Sequence, residues 1–211
     1  MRRLIGNIHV FWALLAVPAM IYLWRLTASG FDPALAFDLE HGTGELSVRL
    51  MIAAMAVSPL RAILGRRGWT EWLMQRRRAI GVAAFGYGAL HLMVYLIDFE
   101  AFSGGIDLVI EDAAQFSIWT GYAALAIMFA MALTSNNSAQ KIMKRHWKRL
   151  QRLVYGAAIL VAIHWVFVDN EWRAAAAHFI PLLILEIARL VLSWRKRRFN
   201  SGSWRQGNMS A

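Results

Sequence analysis

The sequence predicts an all-α integral membrane protein, a six-helix bundle with both termini in the cytoplasm. Two observations predict it. Hydrophobic residues make up 58% of the 211 positions, and they gather in runs of about 20 residues, the length at which a helix crosses ~30 Å of hydrocarbon. The loops between these runs alternate in charge, which sets the direction in which each helix crosses.

Six apolar segments are long enough to span a membrane, and they must be helices because backbone groups in lipid need partners within the segment. The first follows Met1-Arg2-Arg3 and continues past Pro18 with bulky residues, so it is interpreted as a helix and not as a cleaved signal peptide. Residues 1–199 form one predicted membrane domain, and the polar residues 200–211 a disordered cytoplasmic tail. The predicted spans are about 8–25, 45–64, 79–97, 115–134, 151–168 and 175–194.

The charged loops fall into two classes. Segments 61–78 and 141–152 each hold six Lys or Arg residues, and the last span runs into the basic residues 195–198. Segments 26–45 and 98–114 hold acidic residues and neither Lys nor Arg. The positive-inside rule therefore predicts that the basic segments and both termini are cytoplasmic. The net charge of +10 is then a signal of topology and of contact with anionic lipid, and nucleic acid is not an expected partner.

Two histidines lie well inside apolar spans, where an ionisable side chain is costly and points to a function. His91 lies 13 residues after Arg78 and His164 lies 12 after Arg152, so both lie roughly 18–20 Å from the inner boundary at about 1.5 Å per residue. Two imidazoles at one depth, on the outer side of the midplane, can bind one heme iron from opposite faces. Small residues that would admit a planar group precede them: Gly81, Gly86, Gly88 and Gly156.

Other interpretations of the same residues stay open. In a heme-free transporter or scaffold, His91 and His164 would pack small-residue interfaces or relay protons, and a metal site without heme would need carboxylates nearby. Arg49, at a similar depth, can pair with a heme propionate or extend to the interface. Glu186 is the main acid within the spans, and Arg189 can be its partner. The remaining histidines are interpreted as interfacial or solvated: His9, His41, His146 and His178.

Some chemistry is excluded. The chain has no cysteine, so an iron–sulfur cluster or a thiolate metal site cannot form. It also has no Gly-rich dinucleotide fingerprint placed between a strand and a helix. We therefore expect its electrons to come from a membrane-soluble donor or a separate protein, and not from NAD(P)H bound by this chain.

An ordered series of motifs runs along the chain. The series is Thr43-Gly44, Ser58-Pro59-Leu60-Arg61, Arg76-Arg77-Arg78-Ala79-Ile80-Gly81, His91 with Tyr95, Thr134-Ser135-Asn136, the run from Trp147 to Tyr155, and His164-Trp165. This series resembles the MsrQ family, the heme-binding membrane subunits of a periplasmic methionine sulfoxide reductase system within the ferric reductase-like transmembrane group. The likeness covers about residues 5–195.

The resemblance implies an electron-transfer subunit in the bacterial inner membrane, without a methionine sulfoxide site of its own. It would pass electrons from the respiratory quinone pool through heme b to a periplasmic molybdopterin subunit, MsrP, and some family members also bind FMN. His91 and His164 stand at the family's heme-ligand positions. A stand-alone ferric or cupric reductase, fed by a separate cytoplasmic flavoprotein, is the alternative.

The inner end departs from the family pattern. Gln151 stands where the family often has histidine, and Arg77 stands at the other inner-ligand position. Arginine does not deprotonate to become a ligand in ordinary conditions, so we expect a single heme, on the outer side. An inner site against Arg77, Arg78 and Gln151, all hydrogen-bond donors, can hold a flavin or a quinone instead.

Overall fold

A computed structural model describes residues 7–30, 32–98, 110–111, 113–169 and 172–207 of the chain. The main elements of this part of the chain are all α-helices, and it contains no strand. The helices are α1 Ile8–Ala28, α2 Pro33–Leu64, α3 Gly68–Asp98, α4 Phe116–Leu133, α5 Asn137–Met143, α6 Arg145–Gln151, α7 Val154–Asp169 and α8 Trp172–Gly207.

Six helical segments of the described chain are long and apolar enough to cross a membrane, which confirms the predicted all-α fold with six spans. They are Ile8–Ala28, Asp38–Leu64, Gly68–Leu96, Phe116–Leu133, Arg145–Val168 and Trp172–Arg198. Three of them begin well before the predicted spans, because the sequence marks only the apolar part of a helix whose polar turns continue beyond it. Most of the predicted outer loop 98–114 lies outside the described residues.

The C-terminal helix is longer than expected. The chain stays helical as far as Gly207, whereas the sequence predicts disorder from residue 200. The basic run 195–198 carries the helix past the apolar part, because Arg and Lys are good helix formers. Residues 208–211 lie outside the described part of the chain.

Helices α2 and α3 form a hairpin around a three-residue turn. Gly65 ends α2 with a φ of +80°, a conformation that glycine adopts without steric cost. The Thr70 hydroxyl accepts from the Arg67 amide at 2.9 Å and donates to the Gly65 carbonyl at 3.0 Å. The turn lies at the end of the bundle that carries the basic segments 61–78 and 141–152. This end is called the basic end below.

The core lies between α2, α3, α4, α7 and α8, and small and flexible residues fill it. Ala84 and Ala157 allow close helix approach, and methionines fill the irregular space around them. In contrast, only 6% of the residues in the most apolar stretch of α1 are buried within the protein, against 39% in that of α2. The central cluster comprises Met51, Met55, Ala84, Met128, Ala157, Ala158 and Leu182.

Helix α1 is attached to α3 by a small number of specific contacts. The Tyr87 hydroxyl donates to the Leu15 carbonyl at 2.6 Å and accepts from the Ala19 amide at 3.0 Å. Phe11 and Trp72 also meet edge to face, with ring centroids 5.6 Å apart. The first helix therefore lies at the periphery of the bundle. The Tyr87 hydrogen bonds and the Phe11–Trp72 contact attach it to α3, and little of its apolar surface is buried.

Candidate functional site

The structure brings His91 of α3 and His164 of α7 together. Their ring centroids are 6.3 Å apart and the ring planes are inclined by 81°. A metal–imidazole bond is about 2 Å long, so two rings on opposite sides of one ion have centroids about 6 Å apart. The separation therefore fits two axial ligands of a single iron.

Backbone carbonyls fix the orientation of both rings. The Nδ1 atom of His91 lies 3.0 Å from the Glu40 carbonyl, and that of His164 lies 2.7 Å from the Ser117 carbonyl. When Nδ1–H donates to a carbonyl, the imidazole lone pair is on Nε2, the nitrogen that then binds a metal. Both histidines have the same arrangement, and each carbonyl comes from a different helix than the ring it orients.

Glycines on the two neighbouring helices make room for the rings. A Cβ atom at Gly44 of α2 would lie 2.9 Å from His91 Nδ1, and one at Gly121 of α4 would lie 2.8 Å from His164 Nδ1. Real Cβ atoms essentially never come this close to a neighbour, so any other residue would push the imidazole away. These two glycines form a cradle for the histidine pair.

The glycines singled out from the sequence have other surroundings. A Cβ at Gly86 or Gly156 would meet none of the described atoms within 4 Å, and one at Gly81 would meet only Ala54 at 4.0 Å. Gly88 is tightly packed against Leu125. The cradle glycines were missed as site residues because they lie on helices other than the ligand helices, although Gly44 belongs to the motif series.

A cavity of about 360 Å³ surrounds the histidine pair, within the size range of cofactor pockets. Its wall is mostly apolar. Among the described residues, no group of three or more His, Cys, Asp or Glu side chains could hold a metal ion. His91 and His164 can supply two ligands to an iron, and a heme would bring the other four of its own. Residues that line the cavity around the histidines include Val48, Gly88, Leu125, Met128, Val161 and Trp165.

A polar network lies at one side of the cavity. Arg49 forms an ion pair with Glu45 one turn earlier, and its Nε donates to His178 Nε2 at 3.4 Å. His178 Nδ1 lies 2.8 Å from the Ala174 carbonyl, and its ring centroid is 5.0 Å from that of Trp165. Arg49 thus has protein partners, and its predicted pairing with a propionate stays a prediction. Glu45 was not predicted as a site residue from the sequence, although its i,i+4 spacing to Arg49 indicates a pair.

The three inner residues make separate contacts. Arg77 Nε donates to the Ala54 carbonyl at 2.8 Å, and Gln151 donates to the Met131 carbonyl at 3.2 Å. Arg78 donates to the side chain of Asn137 at 2.7 Å. None of these three residues is among those that line the cavity of the histidine pair. These contacts do not gather the three side chains around one ligand, and an inner flavin or quinone site there stays a prediction.

Comparison with known protein families identifies the class to which this chain belongs. The model of the family described as ferric reductase like transmembrane component matches residues 43–162, more than half of the chain. The match contains His91 and ends two residues before His164. The fold, the histidine pair and this match define a ferric reductase-like membrane protein. No solved structure matches the chain.

The more specific relatives share one description, protein-methionine-sulfoxide reductase heme-binding subunit MsrQ. The protein of Xanthomonas campestris pv. campestris strain 8004 is 32% identical over 170 residues, which are 80% of this chain and 72% of the relative. That of Yersinia enterocolitica strain 8081 is 28% identical over 189 residues, 89% of this chain and 90% of the relative. The chain belongs to the MsrQ family, as the motif series predicts.

Proposed function

We propose that the chain is the membrane electron-transfer subunit of a methionine sulfoxide reductase system, with one b-type heme held by His91 and His164. The observation that carries the proposal is the pair of imidazoles 6.3 Å apart, each with Nδ1 at a backbone carbonyl. The relatives named as heme-binding subunits support the same cofactor.

The residues around the pair have distinct roles in this proposal. The carbonyls of Glu40 and Ser117 hold the two rings in the metal-binding tautomer. The apolar wall excludes water and thereby tunes the potential of the site. When bound, heme supplies one-electron transfer, and the protein supplies position and electrostatics. Arg49 and His178, at the side of the cavity, would set the charge close to it.

Donor and acceptor complete the proposal. Electrons would enter from the quinone pool of the bacterial inner membrane and leave to the periplasmic molybdopterin subunit MsrP, docked at the end opposite to the basic end. Two features support this direction: His91 and His164 lie beyond the middle of their spans when counted from Arg78 and Arg152, and the basic segments fit a cytoplasmic position. One membrane domain over residues 1–199 would carry the whole function. FMN stays an expectation from the resemblance.

The heme ligands are tested by purifying His91→Ala and His164→Ala after heme-replete expression. We expect each to lose the reduced α-band of a b-type cytochrome, because one axial ligand is removed. His146→Ala is the matched control, since His146 is an exposed histidine of α6. Gln151→Ala should also keep its heme, because its amide contacts Met131 and does not line the cavity. A colourless wild-type protein, or full heme content in both ligand variants, would contradict the proposal.

The ferric reductase-like family match favours a second candidate, a stand-alone ferric or cupric reductase. The two functions differ in the electron acceptor. Dithionite-reduced protein should be reoxidised by oxidised MsrP faster than by ferric citrate if the first proposal is correct. The opposite order would favour the metal reductase.

A further inference from the structure

A second polar cluster lies far from the histidine pair, in the half of the bundle nearer the basic end. The Arg189 guanidinium of α8 forms an ion pair with Glu186 at 2.6 Å and donates to the Tyr155 hydroxyl of α7 at 3.0 Å. The Tyr155 hydroxyl in turn donates to Glu186 at 3.5 Å. The three side chains, called the inner triad below, close a triangle between the last two spans.

The inner triad lies within the hydrocarbon-spanning part of the fold. Glu186 is nine residues before Arg195, about 13 Å along the helix, and it belongs to the span Trp172–Arg198. A carboxylate at such a depth is costly, and intramembrane acids commonly mark proton or substrate pathways. Tyr155 precedes His164 by nine residues of α7, so the triad is about 13 Å from the histidine pair along that helix.

The inner triad is reached from lipid. Tyr155 is 38% exposed at the surface of the bundle, whereas the Glu186 side chain is 13% exposed. Leu183 and Leu190, on the same side of α8 as Glu186 by their spacing, are both exposed apolar residues. This surface faces hydrocarbon in a bilayer. A ligand that meets the triad there must therefore be soluble in the membrane.

We propose that the inner triad binds a membrane quinol and accepts its protons, an inference that rests on the proposed function. A quinol carries hydroxyl groups on an apolar ring. Such a ligand fits a carboxylate, a guanidinium and a phenol that lie together at an apolar surface. The Tyr155 hydroxyl would hydrogen-bond one ring oxygen, and the Glu186 carboxylate would accept from the O–H group. Arg189 is a positioning residue that keeps the carboxylate oriented.

The reaction at the triad balances as a two-electron, two-proton oxidation. Two O–H bonds of the quinol break and the ring becomes a quinone. Glu186 accepts the two protons in turn and releases each toward the basic end. The two electrons would leave one at a time; a heme held by His91 and His164 would supply the one-electron chemistry that takes them up and passes them on to the periplasmic partner.

The test uses the heme-loaded protein in lipid nanodiscs and 2-heptyl-4-hydroxyquinoline N-oxide, a quinol analogue whose fluorescence is quenched on binding. We expect Glu186→Gln to raise its Kd about tenfold or more, the size of one lost charge-assisted hydrogen bond, and Tyr155→Phe to raise it about two- to tenfold, the size of one neutral hydrogen bond. Heme reduction by a short-chain quinol should slow similarly, whereas heme content and reduction by dithionite should not change. Ser193→Ala is the matched control, since this hydroxyl donates within α8, to the Leu190 carbonyl at 2.8 Å.

The outcomes separate the two proposals. If both triad variants keep the wild-type affinity and the wild-type rate of reduction by quinol, the inner triad is not the quinol site. The proposal that quinol is the electron donor would be unaffected. A wild-type protein that neither binds the analogue nor accepts electrons from quinol would reject the donor itself. If Glu186→Gln does not fold, Tyr155→Phe carries the test, because it removes one hydroxyl from a partly exposed side chain.

Discussion

At the scale of single residues, the histidine pair depends on the absence of side chains at two glycines as well as on the groups that contact the rings. Gly44 and Gly121 lack a Cβ where each ring comes closest to a neighbouring helix. Equal depth along two helices predicts the encounter of His91 and His164 from the sequence alone. The cradle could not be predicted, because it depends on which helices become neighbours, and no local pattern encodes that.

The cradle gives a direct prediction. Gly44→Ala and Gly121→Ala should each weaken heme binding by about 1–3 kcal/mol, roughly 5- to 150-fold, because the new methyl overlaps an imidazole. The quantity to measure is heme retained per chain during dilution with apomyoglobin as acceptor. Gly156→Ala is the control, since a Cβ there meets none of the described atoms within 4 Å. Equal heme loss from all three variants would mean that the cradle has no specific role.

At the scale of helices, α1 differs from the rest of the bundle. Its apolar sequence predicts a helix long enough to span the membrane, which is confirmed. The way in which it is attached to α3 does not follow from that apolar sequence. The Tyr87 hydroxyl bridges the Leu15 carbonyl and the Ala19 amide, next to Pro18. The lengths of α2 and α3 also exceed the predicted spans, because polar turns outside the hydrocarbon carry no hydropathy signal.

Removing the bridge should loosen α1 without affecting the cofactor. We expect Tyr87→Phe to lower the free energy of unfolding in detergent by about 1–2 kcal/mol, because two buried hydrogen bonds are lost. Heme content should stay at the wild-type level. Tyr22→Phe serves as the comparison, as Tyr22 packs against the apolar cluster of Leu26, Leu39 and Val94. An unchanged melting temperature in Tyr87→Phe would refute this role of the bridge.

At the scale of the whole molecule, the ends of the bundle differ in charge and in chemistry. Basic residues lie near the inner triad on both of its helices, Arg152 before Tyr155 and Arg195 after Glu186, and the histidine pair lies nearer the opposite end. The sequence predicts the number of spans correctly because hydropathy is a local property. The charges of its loops also predict the direction in which each span crosses the membrane.

The orientation is tested with fusion reporters. Green fluorescent protein fused after Ala211 should fluoresce, and alkaline phosphatase fused there should be inactive, because the C-terminus is expected in the cytoplasm. Phosphatase inserted after Gly104, between the third and fourth spans, should be active. Phosphatase inserted after Arg67 is the matched internal control and should be inactive. The reverse pattern would invert the proposed direction of electron flow.

The separation of the two proposed ligand histidines along the chain also has a consequence for biogenesis. His164 is synthesised 73 residues after His91 (164 − 91), a delay of about 4–15 s at typical rates of translation. During that interval the nascent chain has one of the two proposed ligands and only part of the cavity. If both histidines bind the heme as proposed, cofactor loading waits until the fifth span has left the translocon, and a ribosome stalled before that point would leave an apoprotein in the membrane.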